Sequence, residues 1–349
     1  MYKKRIKKVT ENMREMGLSQ IIVTSSAPVY YLTGQWVDPH ERMLALYLDD
    51  TGRGVLFGNL LFKLNQQVFP QQIHTDNDDP TAGIAKILKP GTVGIDKFWS
   101  AKFLISLMEK RPDVRPVIGS APVDTARLIK DEQEIEALIH ASKMNDEVIA
   151  FAISSLRDGV TEAELMMDIN REFSARGSDA PTAQIVAFGP HCAEEHHESD
   201  STVIKKGDSV IFDLYTPISR YWCDMTRTVF FGEPSNKQKE VYDIVKKANA
   251  AGIAAVRPGT PLRDIDRAAR SVIESAGYGE YFTHRLGHGL GLDCHEPPDV
   301  SAASEAVAYE GMVFSVEPGI YLPGEFGVRI EDLVLVTKDG CRVLTSAKK

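Results

Sequence analysis

The chain has 349 residues, enough for two domains, and its 43% hydrophobic and 26% charged residues are an ordinary balance for a folded protein in water. A formal net charge of −9 argues against nucleic acid or an anionic membrane surface as the main partner. No stretch is apolar for long enough to cross a bilayer. The opening "MYKKRIKKVTENMREMG" is basic but has no apolar run after its charges, so it is not expected to act as a secretory leader. Ile6, Val9, Met13 and Met16 recur at helical spacing and predict an amphipathic first helix. "LSQIIVTSS" then reads as a buried strand. "RMLALYLDD", the turn "TGRG" and "VLFGN" read as a hairpin. "TAGIAKILKPGTVGID" predicts a helix and a strand, and "SAKFLISLMEKRPD" another helix. This alternation predicts an α/β domain over residues 1–122, with the second domain over 123–349 opening on a long helix near Lys130.

The second half carries a weak internal repeat. "DGVTEAEL" from residue 158 and "PGTPLRDI" from 258 each follow one helical pattern and open another, with Pro261 read as just inside the helix start. Those helices end at Gly177 and Gly277. "KGDSVIFD" and "EGMVFSVE" follow as strands, then "CDMTRTVFF" and "GVRIEDLVLV". The unit is helix, helix, strand, strand, so this half is α+β with a pseudo-two-fold repeat.

The repeat places acids at matching points. Asp213 is expected to end one strand with Asp224 opening its partner, and Glu317 to end the corresponding strand with Glu331 in its partner. The apolar runs "VIF" and "VFSV" imply burial, and buried carboxylates are costly unless paired or bound to a cation. Four acids match the charge of two divalent cations. Carboxylates with one imidazole suit manganese, cobalt or iron, with zinc a further option. "FTHRLGHGLGLDCHE" (282–296) holds three of the nine histidines, and Gly287 and Gly289 clear the space around His288, the natural nitrogen ligand. Strand alternation puts Asp224 with Thr226, and Arg329 with Glu331, so Thr226 is expected to hydrogen-bond a ligand and Arg329 to point at the site. In "CAEEHHESD", His196 and His197 are adjacent in a loop, one expected to face the site and the other water. The four cysteines, Cys192, Cys223, Cys294 and Cys341, make no CxxC pair and fit reduced thiols. Phosphate-loop, GxSxG and HExxH motifs are absent.

"FTHRLGHGLGLDCHE", "VFSVEPGIYLPGEFGVRIED" and "YWCDMTRT" resemble the signatures of the metallopeptidase family of Xaa-Pro dipeptidases (prolidases), Xaa-Pro aminopeptidases and methionine aminopeptidases. The N-terminal domain and "RLIKDEQEIE" resemble the prolidase and aminopeptidase P branch. The resemblance implies a pita-bread catalytic domain behind a creatinase/prolidase-type N-terminal domain, a cytoplasmic location and a homodimer. It implies a dinuclear centre, manganese first with cobalt or zinc as alternatives, held by Asp213, Asp224, His288, Glu317 and Glu331, with Asp224 and Glu331 bridging. It also implies substrate-side roles for His196, His284, His295 and Arg329.

The activity implied is hydrolysis of the bond before proline in di- or oligopeptides by a metal-bridging hydroxide. Glu317 shuttles the proton, and His196 and His295 stabilise or position the reacting groups. Tyr215 stands where relatives usually have glycine, Arg220 where many have glycine, and Asp299 where some prolidases have a basic residue nearby. These departures leave dipeptidase and aminopeptidase both open. The alternatives are a metal-free creatinase-like hydrolase and a non-catalytic binding protein of the same fold.

Overall fold

The computed structural model describes residues 1–65, 68–182 and 184–349. The chain divides into two compact units, Met1–Arg127 and Leu128–Lys349.

The first unit contains α1 (Tyr2–Glu15), β1 (Gln20–Val23), α2 (Ser26–Thr33), β2 (Ala45–Asp49), β3 (Gly54–Asn59), β4 (Gln71–His74), α3 (Ala82–Ile87), β5 (Gly91–Ile95), α4 (Ala101–Lys110), β6 (Val114–Ile118) and α5 (Ala121–Leu128), at whose end the second unit begins. Val9 and Met13, four apart on α1, are fully buried, whereas Met16 lies past the helix end and is exposed. The strands form one sheet in the order β4-β3-β2-β1-β5-β6. The predicted hairpin is β2 on β3, antiparallel, while β5 and β6 run parallel to β1. The division falls after Arg127, not at residue 122, because α5 is tied into the first unit. Asn12 Nδ2 donates to Pro122 O at 2.8 Å, Lys8 Nζ to Ala126 O at 2.8 Å and Tyr31 Oη to Ala126 O at 3.1 Å.

The second unit contains α6 (Glu132–Ser154), α7 (Glu162–Ala175), β7 (Ile185–Phe188), β8 (Ser209–Ile218), β9 (Tyr221–Phe230), α8 (Asn236–Ala255), α9 (Leu262–Ser275), β10 (Gly287–Gly289), β11 (Glu296–Val300), β12 (Val313–Val316), β13 (Gly319–Leu322), β14 (Phe326–Arg329), β15 (Asp332–Thr337) and β16 (Gly340–Val343). Asp131 starts α6 with a reciprocal capping box to Glu134, and Thr161 starts α7 with one to Glu164. The repeat is visible in the backbone. Thr161 bridges to Val203, and Pro261, one repeat on, bridges to Val307. Gly177 and Gly277 stop α7 and α9 in the left-handed region, at φ 91° and 85°. Each half also has its own core, one including Val148, Leu165, Phe173 and Phe212, the other Val245, Ile265, Phe314 and Val334.

Three expected placements change. Pro261 is itself the N-cap of α9, in extended conformation, and Leu262 is the first helical residue. Asp213 lies inside β8, not at its end, because β8 and β9 remain paired as far as Ile218 and Tyr221. "GVRIEDLVLV" is two strands, since β14 pairs with β13 and β15 with β12, leaving Glu331 in the break between them. That break is where the halves join. Glu331 N donates to Thr226 O at 3.1 Å, and Thr228 Oγ1 donates to Arg329 O at 2.8 Å.

Candidate metal centre

The β8–β9 register sets Asp213 opposite Thr226 and Tyr215 opposite Asp224, so these four share a sheet face. The other half delivers Glu317 just after β12, Glu331 just before β15, and His288 from the middle of β10. β10 is squeezed between β11 and β12. A methyl carbon at Gly287 would overlap the Ser315 carbonyl, and one at Gly289 would overlap the Pro297 carbonyl. The glycines flanking His288 are therefore required by close approach of backbone.

Asp213, Asp224, His288, Glu317 and Glu331 all line one cavity of about 590 Å³. Ligating atoms of Asp224, His288 and Glu331 lie within 4.8 Å of one another. His288 Nε2 is 3.4 Å from Glu317 Oε1 and 3.8 Å from Asp224 Oδ2. Its Nδ1 faces Gly289 O at 3.2 Å, which favours the tautomer that leaves Nε2 bare toward the acids. Asp213 is held from the side by Arg329 Nη2 at 2.7 Å. Thr226 Oγ1 donates to Glu331 Oε2 at 2.9 Å, and Ser315 Oγ donates to Glu317 Oε1 at 3.0 Å.

The donor set fits divalent cations. Asp213 Oδ1 and Glu331 Oε1 are buried with no hydrogen-bond partner among the described residues, a costly arrangement for carboxylates unless a positive charge or proton meets them. Burial, followed by the charges of Asp213 and Glu317, pushes Asp224 well above the usual carboxylate range. Burial and the neighbouring acids, Asp224 first, do the same to Glu331. Burial pushes Glu317 up to about 7 against the opposing charge of Arg329. Burial, then His295, pushes His288 down to about 3, so its imidazole is neutral at pH 7 and able to ligate.

The substrate-side candidates reach the same cavity. His196, His284, His295 and Arg329 all line it. The His295 ring lies 4.1 Å from that of His288, centroid to centroid. His284 Nε2 meets Tyr321 Oη at 2.8 Å, and burial lowers its pKa to about 4. The Arg329 guanidinium is buried and engaged by Asp213, Tyr321, Thr226 and the Glu195 carbonyl. His197 turns away from the cavity but does not face water. It is 8% exposed, with Nε2 at 2.7 Å from Glu162 Oε2. A buried carboxylate from a distant helix claims the neighbour that loop logic assigned to solvent.

Beside Tyr215 and Asp299, which stand out in the sequence, the surroundings hold Ile185, Trp222, Arg285, Ser315 and Tyr321, which do not. Tyr215 joins Trp222 at 6.4 Å between ring centroids, and with Ile185 they make an apolar wall. Alternation could have found Trp222 and Ser315, each two residues from an acid on a strand path. Cys294 Sγ lies 3.5 Å from Asp224 Oδ2. Tyr321, bonded to both His284 and Arg329, comes from the β13–β14 hairpin, whose pairing no spacing announced. Asp299 is occupied at the rim by Arg285, which also lines the cavity.

Residues 136–338 match the family model described as Metallopeptidase family M24, and residues 5–129 match the Creatinase/Prolidase N-terminal domain. An uncharacterized peptidase of Staphylococcus saprophyticus is 38% identical over 99% of this chain and 100% of its own. The solved recombinant prolidase of Thermococcus sibiricus superposes with a TM-score of 0.94 at 34% identity, covering 100% of this chain and 98% of that one. The solved dipeptidase of Pyrococcus horikoshii gives 0.93 at 33%, covering 99% and 98%. The chain belongs to metallopeptidase family M24, with a Creatinase/Prolidase N-terminal domain preceding a pita-bread catalytic domain, and is a metallopeptidase.

Proposed function

We propose that the protein hydrolyses the peptide bond preceding proline, acting on Xaa-Pro dipeptides or short Xaa-Pro peptides, with two manganese ions as the preferred metals. The observation that carries this reading is the convergence of four acids and His288 in one cavity, with two buried carboxylate oxygens unpartnered. Asp213, Asp224, His288, Glu317 and Glu331 would hold the ions, and Asp224 and Glu331, contributed by opposite halves of the repeat, would face both. When bound, such ions polarise a carbonyl and lower the pKa of an attacking water.

The chain's own groups do the rest. Glu317 stands on the cavity wall among the proposed ligands, where a carboxylate can take a proton from the attacking water and return it to the leaving amine. His196 and His295 stand on the cavity wall, where imidazole donors stabilise negative charge developing on a carbonyl oxygen. Arg329 braces Asp213, so its charge offsets part of the acid cluster rather than gripping substrate. The wall of Ile185, Tyr215 and Trp222 offers an apolar surface to a pyrrolidine ring and narrows the cavity where relatives usually have glycine. The solved relatives named prolidase and dipeptidase support a short proline-containing substrate.

The test is hydrolysis of Xaa-Pro dipeptides, Xaa-Pro-Yaa tripeptides and Xaa-Ala dipeptides by protein loaded in turn with manganese, cobalt and zinc. Cleavage of the Xaa-Pro bond, dependent on metal and at least about tenfold preferred over Xaa-Ala, is expected, a margin of only ~1.4 kcal/mol. Cleavage unaffected by chelation would favour the creatinase-like alternative, and no cleavage of any peptide would favour a binding protein.

A further inference from the structure

Glu162 lies outside the cavity, in the first turn of α7, yet its carboxylate is fully buried. Its oxygens gather four partners, all from residues 188–200. Phe188 N donates at 2.7 Å and Asp200 N at 3.2 Å, while His191 Nδ1 lies at 3.0 Å and His197 Nε2 at 2.7 Å. This stretch connects β7 to β8 and carries Glu195 and His196 to the cavity wall. Its regular structure is a single 3-10 segment, Gly189–Ala193, so no ladder fixes the residues beyond it. On its far side, Glu195 O accepts from Arg329 Nη1 at 3.3 Å, and the Glu195 carboxylate accepts from Thr283 Oγ1. The imidazole of His196, between these two anchors, has no hydrogen bond among the described residues, so its position follows from its backbone.

We propose that Glu162 is a positioning residue: by gathering the 188–200 stretch, it sets where the His196 imidazole stands over the catalytic cavity. This rests on the peptidase reading of that cavity. Glu162, His191, His197 and Asp200 are also metal-type donors. The separations of 2.7 and 3.0 Å are those of direct hydrogen bonds between imidazole and carboxylate. Glu194 also faces His197, at 3.4 Å from Nδ1. The ring is therefore held between two carboxylates, and the rings of His191 and His197 pack 4.2 Å apart.

The test is a double-mutant cycle on the metal-loaded enzyme. Glu162→Gln keeps the shape but loses the charge and one acceptor oxygen. It is expected to lower kcat about 10- to 100-fold, the scale of an ångström-level misplacement, with KM changed less than about twofold and two ions per chain retained. His196→Ala should then cost much less in the Glu162→Gln background than in wild type, because the position it occupies has already been lost. A purely structural role predicts equal factors in both backgrounds, and that result overturns the proposal. So does a Glu162→Gln enzyme with wild-type kcat, or a third tightly held ion that Glu162→Gln releases.

If Glu162→Gln does not fold, His191→Ala, at the half-exposed edge of the cluster, takes its place. It should lower kcat with a coupling to His196→Ala of at least about threefold, and additive effects again overturn the proposal. Histidine NMR of the zinc-loaded protein separates this inference from the peptidase reading. A wild type that cleaves no peptide sinks that reading, whereas a His196 imidazole signal unmoved by Glu162→Gln sinks the positioning role.

Discussion

Arg329→Met removes the buried guanidinium that braces the acid cluster from the side. The group is 3% exposed and donates to Asp213 Oδ2 at 2.7 Å, Tyr321 Oη at 3.0 Å, Thr226 Oγ1 at 3.1 Å and Glu195 O at 3.3 Å. Methionine fills similar space but leaves Asp213, already unpartnered at Oδ1, without its counter-charge. Breaking a buried pair from one side costs about 3–5 kcal/mol. At ~2–4 °C per kcal/mol for a unit of this size, the metal-free protein should melt roughly 6–20 °C lower at pH 7.5. Manganese supplies a replacement charge, so the loss in the loaded protein should shrink to the neutral hydrogen bonds, about 1–2 kcal/mol. Protons can also neutralise the acids, so the metal-free loss should narrow at pH 5. Differential scanning calorimetry of both proteins, with and without manganese and at both pH values, measures all four losses. An equal fall in Tm under every condition would refute the reasoning, because Arg329 would then be acting only through packing.

Metal binding should release protons, since Asp224, Glu317 and Glu331 are all raised and must ionise to ligate. Calorimetric titration in two buffers of different ionisation enthalpy should show this release, with affinity rising as pH rises through about 7, the value for Glu317. The same raised groups make the folded metal-free protein hold more protons than the unfolded chain. Its stability should therefore fall as pH rises from the ordinary carboxylate range through about 7, and chemical denaturation across that window checks the sign. His196→Ala and His295→Ala should each cut turnover by about 10²–10³ with metal content kept. His197→Ala should in addition lower stability by about 1–3 kcal/mol, by stripping a partner from buried Glu162, and a silent His197→Ala in a melting assay would contradict that. Arg220→Gly should raise stability by about 1 kcal/mol, because Arg220 sits at φ 72° in a two-residue turn where a side chain is strained; an unchanged midpoint in urea would count against it.

The parts legible in sequence were those written as local spacing. Glycines at 177 and 277 marked two helix ends, and alternation along β9 placed Asp224 and Thr226 on one face. Asp213 was misread as a strand end because an acid after "VIF" looks like punctuation. "LYTPI" continues β8 because its partner strand runs equally far. The β13–β14 hairpin was hidden inside a run that reads as one strand, and with it went Tyr321 and its bonds to His284 and Arg329. His197 was misjudged for a different reason. Its partner, Glu162, is 35 residues earlier on a helix, and no local period encodes that meeting. The register of paired strands and the reach of side chains across the repeat are tertiary facts, so alternation reaches the braces from Thr226 and Arg329 but not those through Tyr321 and Glu162.

The most direct test of the central claim is elemental analysis of protein dialysed against limiting free manganese, performed alongside Xaa-Pro hydrolysis. Wild type is predicted to hold two ions per chain, with activity rising as they bind. Glu331→Ala, which removes a carboxylate shared by both proposed positions, is predicted to hold at most one, with activity lost and the fold retained. Two ions and near wild-type turnover in Glu331→Ala, or full wild-type activity without any ion, would contradict the account.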